Sequence, residues 1–137
     1  MSQIQVQMID NTVSSDWWRK LVQHFVKVGD ELEIRCWKEE TAEIQQASLY
    51  GKPVSEKHEV SIKGTVTTKL LAELSADESV DRSVYNKMTK YFTINSKNGQ
   101  RKFSSAHYGT EMYIDEASED DTAMKQYDDC FSISIEH

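Results

Sequence analysis

Four histidines (His24, His58, His107 and His137), two cysteines (Cys36 and Cys130) and 23 carboxylate side chains are the groups from which this chain of 137 residues would build a metal site, a nucleophile or an acid–base pair. Metal sites legible in sequence carry their ligands at short recurrent spacings. Here no two histidines stand four apart, no Cys-x-x-Cys occurs, and the cysteines lie far from each other. A nucleophile would need Cys36 or Cys130 beside His58 or His107, a pairing only the fold can make. Both cysteines are expected as small core residues, and their usage fits a reducing cytoplasm better than a disulfide framework. Glu31 and Glu33 share a strand face, but acid–base work requires one carboxyl to be desolvated, and the alternation puts both on the wet side. Five scattered glycines form no phosphate-cradling loop. The expectation is a chain with no catalytic residue, no metal and no cofactor.

Binding chemistry is better represented. The net charge of −7 is unevenly placed: residues 1–110 hold fourteen acids and fifteen bases, whereas residues 111–137 hold nine acids against the single base Lys125. Just before the acidic part, Arg82, Lys87, Lys90, Lys97, Arg101 and Lys102 interleave with Tyr85, Tyr91, Phe92, Phe103 and Tyr108, a composition that can stack on single-stranded nucleic acid and neutralise it. The same aromatics suit the inner face of a hairpin, and the net acidity with an acidic neighbour makes nucleic acid an unexpected partner. The acidic part is the sharper signal, because fixed negative charge steers a basic protein into contact and can raise association rates by roughly 10- to 1,000-fold. The expected partner-binding residues are Asp115, Glu116, Glu119, Asp120, Asp121, Asp128 and Asp129, with Tyr113 and Tyr127 as anchors. The plain alternative is that the basic and acidic blocks are solvated faces attracting each other weakly.

The elements that must position these groups follow from periodicity. Residues 3–9 alternate as a half-buried strand. Ser14, Ser15 and Asp16 supply cap-type side chains for a helix over about 15–28, in which Trp17, Trp18, Leu21, Val22, Phe25 and Val26 form one apolar stripe and Gly29 closes the end. At about 1.5–3 kcal/mol for each buried side chain, that stripe belongs at the centre of the core. Residues 31–37 alternate again. A short helix is expected within 39–49, a turn at Tyr50-Gly51-Lys52-Pro53, a strand over 58–66 with Gly64 marking a bulge or close approach, and a short helix over 68–74. Runs 90–95 and 100–107 form a hairpin about Asn98-Gly99, and strands are expected at 110–115 and 130–136, with residues 116–128 a loop or short helix between them.

The result is a single α+β domain: a mostly antiparallel sheet of about five to seven strands packed against a long N-terminal amphipathic helix, with one or two short helices. The N-terminus shows neither a basic start nor a long apolar run, no segment approaches the roughly 20 apolar residues of a membrane span, and a cytoplasmic chain with no membrane partner is expected. Small size, acidity, the absence of a catalytic motif and the acidic block together make the chain resemble, in type, the immunity proteins with which bacteria neutralise their own polymorphic or contact-dependent toxins. That resemblance implies a non-enzymatic inhibitor covering a cognate, often basic and nuclease-type, toxin domain. It carries no residue assignments. The contrasting expectation is a small-ligand-binding or catalytic domain with an apolar pocket between the sheet and the Trp17/Trp18 helix.

Overall fold

A computed structural model describes residues 3–8, 16–76, 89–99, 101–115 and 131–136. In chain order the elements are β1 (Gln3–Met8), α1 (Asp16–Phe25), β2 (Glu31–Trp37), α2 (Thr41–Ala47), β3 (Gly51–Ser55), β4 (Glu59–Thr65), α3 (Thr68–Ala76), β5 (Thr93–Asn98), β6 (Arg101–Ala106), a 3-10 turn at His107–Gly109, β7 (Glu111–Asp115) and β8 (Phe131–Glu136). The fold is α+β. All neighbouring strands pair antiparallel in one eight-stranded sheet of order β3-β4-β2-β5-β6-β7-β1-β8.

The alternation that predicts β2 also decides which face is dry. Leu32, Ile34 and Cys36 are buried, and the register aligns them with Ile62 and Val60 of β4 and Ile94 of β5. Phe103, Met112 and Ile114 continue the same face across β6 and β7. Trp18, Leu21, Val22 and Phe25 of α1, with Leu70 and Leu74 of α3, cover it, and the Trp18 indole N–H donates to Ser105 Oγ of β6 at 2.9 Å. That bond satisfies the one polar atom of a side chain otherwise enclosed by apolar neighbours.

Three expectations need correcting. First, α1 has ten residues and ends at Phe25 rather than near residue 28. The chain after it is claimed by a competing arrangement: the Gly29 N–H donates to Val66 O, the Val66 N–H donates to Asp30 O, and the buried Asp30 carboxylate accepts from the Lys27 N–H and from Asn98 Nδ2. Second, residues 51–53 are not a turn but the start of β3, so the sheet has eight strands rather than five to seven. Pro53, which lacks an N–H, is tolerated there because β3 is an edge. Gly64 is explained by close approach, since a Cβ on it would stand 2.0 Å from Tyr50 O, and one on the facing Gly51 would stand 2.5 Å from Lys63 O. Third, β5 runs through Asn98, which pairs with Arg101, so residues 96–98, expected in the connection, are strand and the left-handed φ of the expected Asn98-Gly99 turn falls on Gly99 alone (+62°).

Candidate functional site

The helices lie on one face of the sheet, and the opposite face carries the chemistry. One row of register positions crosses it strand by strand: Lys52, Lys63, Glu33, Asn95, Ser104, Tyr113, Gln5 and Ser134. Glu33 is the hub of its middle. Its carboxylate accepts from Ser61 Oγ at 2.5 Å, from Arg35 Nη1 at 3.0 Å and from Asn95 Nδ2 at 3.0 Å, and Ser104 Oγ donates to Asn95 Oδ1 at 2.7 Å. Burial alone would raise the Glu33 pKa, but these donors outweigh it and hold the carboxyl below its ordinary value, so it is charged.

Arg35 joins a second group of carboxylates. Its guanidinium also donates to Glu59 Oε1 at 3.1 Å and to Glu56, and the three carboxylates overcome partial burial to push it above its ordinary value. A fork shared among three acids on β2, β4 and the turn before β4 fixes the side chain more firmly than a single exposed pair would.

Beside this network the face is hollowed. A cavity of about 420 Å3, partly open to solvent, is bordered by Glu31 and Glu33 of β2, Lys63 of β4, Asn95 and Lys97 of β5, Lys102 and Ser104 of β6, and Tyr113 of β7. This hollow is not the apolar pocket expected between sheet and helix. Trp18, Leu21, Phe25, Leu70 and Leu74 fill that layer, and the hollow lies on the other side of the strands.

At the far end of β2 sits an aromatic corner. Trp37 packs on Phe92 with centroids 4.8 Å apart, and Phe92 meets Tyr108 at 5.3 Å and His107 at 5.7 Å. The backbone there is strained, with φ of +51° at His107 and +59° at Tyr108, and it is held by the Tyr108 N–H donating to Phe92 O and the Tyr108 hydroxyl donating to Glu40. Tyr91 and Phe103 are buried in the core, in keeping with the inner-face reading of these aromatics, Phe103 from β6 and Tyr91 from the residues before β5.

The remaining chemistry is structural. Cys36 is buried, and burial reinforced by Glu40, Glu43 and Glu59 pushes its thiol up to about 12, where no useful thiolate exists near neutrality. Glu73 of α3 ties three elements together, accepting from the Tyr91 hydroxyl at 2.5 Å, the Tyr50 hydroxyl at 2.7 Å and Gln46, with Lys90 at 3.5 Å. Among the described residues no group of three His, Cys, Asp or Glu stands ready to hold a metal ion, and no helix is long and apolar enough to cross a membrane.

Of the residues expected to bind a partner, Tyr113 is on the open face, half-buried, with its hydroxyl donating to Glu111 at 3.1 Å. Asp115 ends β7 opposite Gln3, which β8 flanks with Glu136. Glu116, Glu119, Asp120, Asp121, Tyr127, Asp128 and Asp129 lie outside the described residues, as does Cys130. Lys97 and Lys102 make no ion pair among the described residues, whereas Lys90 pairs with Glu73; the acids that the plain alternative sets against them lie mostly outside the described residues. The Arg35 fork and the lysine-bordered hollow were not singled out from sequence. The charged alternation Glu31, Glu33, Arg35 marks a wet face, but only strand pairing reveals what stands opposite. No family model, curated protein or solved structure matches the chain.

Proposed function

We propose that this chain is a non-enzymatic inhibitor of the immunity-protein type, which covers a basic protein partner with its acidic block and with the part of the sheet's open face outside the lysine-bordered hollow. The observation that carries this reading is the open face itself. Among the described residues, helices cover one side of the sheet, and the polar side chains opposite are held in place by the Glu33 and Arg35 networks before any partner arrives. A face whose side chains are already ordered loses less entropy on association. Arginine, tyrosine and tryptophan, the residue types enriched at interface centres, are present at Arg35, Tyr113 and Trp37. The strand order bears on the acidic block: β7 and β8 both run antiparallel to β1, so the described ends of the block, Asp115 opposite Gln3 and Phe131 opposite Met8, are fixed at opposite ends of β1.

The test uses a tagged full-length chain to isolate the partner and then compares dissociation rates. Tyr113→Ala is expected to speed dissociation by about tenfold or more, as loss of an interface anchor does. Leu49→Ala, an exposed apolar side chain following α2, is expected to leave it unchanged. Equal dissociation for Tyr113→Ala and the parent chain would overturn the placement of the interface.

A further inference from the structure

The hollow on the open face contains an arrangement that strand pairing disfavours and no ion pair relieves among the described residues. Lys97 of β5 and Lys102 of β6 stand directly opposite each other, and like charges at facing positions of an antiparallel pair repel. Lys63 borders the same cavity from β4 and faces Lys52 of β3. All four lysines are exposed, and none makes an ion pair among the described residues. Two carboxylates are nearby, but Glu33 is committed to Ser61, Asn95 and Arg35, and Glu31, which faces Lys97 in the register, comes within 4 Å of no base among the described residues. With Glu33 taken by Arg35, the border of the cavity thus carries Lys63, Lys97 and Lys102 against Glu31 among the described residues, an excess of positive charge in a chain whose overall charge is −7.

We propose that this hollow is a binding site for a small organic anion, whose acid group sits between Lys97 and Lys102 and whose apolar body lies over β2, β5 and β6 against Tyr113. A volume of about 420 Å3 falls in the range of small-molecule sites. Lysine ammonium groups recognise sulfonate, phosphate or carboxylate as point charges. Tyr113 supplies an apolar edge whose orientation is fixed by its hydroxyl bond to Glu111, and Asn95 and Ser104 supply polar groups on the floor. The site goes beyond the inhibitor reading and stands or falls without it, since it needs no protein partner.

The probe is 1-anilinonaphthalene-8-sulfonate, an aromatic body with one anionic group, compared with the uncharged N-phenyl-1-naphthylamine and read by fluorescence titration of the full chain. Saturable one-to-one binding of the sulfonate that weakens as salt is raised is expected. Lys97→Met combined with Lys102→Met should weaken the sulfonate by about tenfold or more while leaving the neutral dye unchanged, and the thermal midpoint should stay level or rise because the facing repulsion is gone. Ser104→Trp, which fills the hollow, should abolish binding of the sulfonate. Phenyl phosphate should displace the bound sulfonate at lower concentration than an acidic Asp/Glu peptide does. Unchanged sulfonate binding in the double-lysine variant or in Ser104→Trp overturns the site. Equal affinity for the neutral dye overturns its anion chemistry, and displacement only by the peptide overturns the assignment to a small ligand.

Discussion

Glu73 shows how a single carboxylate can be structural and still dictate behaviour with pH. Burial would raise its pKa, but the hydroxyls of Tyr91 and Tyr50, the Gln46 amide and the Lys90 charge together hold it below its ordinary value of 4.5. A group depressed on folding contributes stability that is complete above its unfolded value and is lost as pH falls through its folded value. The chain should therefore lose stability on acidification through this range, and Glu73→Gln should lose less, while being weaker by about 2 kcal/mol near neutrality because the tyrosine hydroxyls forfeit a charged acceptor. Urea midpoints at neutral and acid pH check this, and identical acid slopes for the two proteins would contradict it. None of this is legible in sequence, where Glu73 is one more acid on a helix. Cys36 was legible, because an apolar neighbour on each alternate position left it only the core face.

At the scale of elements, local pattern and tertiary demand part company in specific places. The bounds of β2 follow directly from alternation over residues 31–37, because nothing else competes for those side chains. The start of β3 was hidden because Gly51 and Pro53 are turn residues by local chemistry, and only the pairing with β4 shows that the glycine is needed for close approach and the proline is harmless on an edge. Gly64→Ala would press a methyl group into Tyr50 O and should destabilise the chain by about 3 kcal/mol. Gly99→Ala meets open space and bears only the strain of its positive φ, about 1–2 kcal/mol. Chemical denaturation of the two variants ranks them, and a Gly99 variant weaker than the Gly64 variant would contradict this account of the β3–β4 approach. The length of α1 was overestimated for a related reason: its apolar period continues to Val26, but Gly29 and Asp30 are bound to Val66 and so draw the chain out of the helix.

Across the whole molecule, the basic part of the charge division along the sequence takes a place on one face of the sheet. The lysines of β4, β5 and β6 border the hollow, and the strands that flank the acidic block, β7 and β8, lie on either side of β1 toward the other edge of the sheet. The sequence made the two blocks visible but not their placement, because which strands become neighbours depends on pairings between distant segments, above all the insertion of β1 between β7 and β8. If the acidic block steers a basic partner onto this face, its charge must appear in the rate of encounter. The most direct measurement is stopped-flow association of the isolated partner, over a range of salt, with the parent chain and with the combined variant Asp120→Lys, Asp121→Lys, Asp128→Lys and Asp129→Lys. The predicted result is association about tenfold or more slower at low salt, a flattened salt dependence and little change in dissociation; an association rate at low salt equal to that of the parent chain would contradict the account.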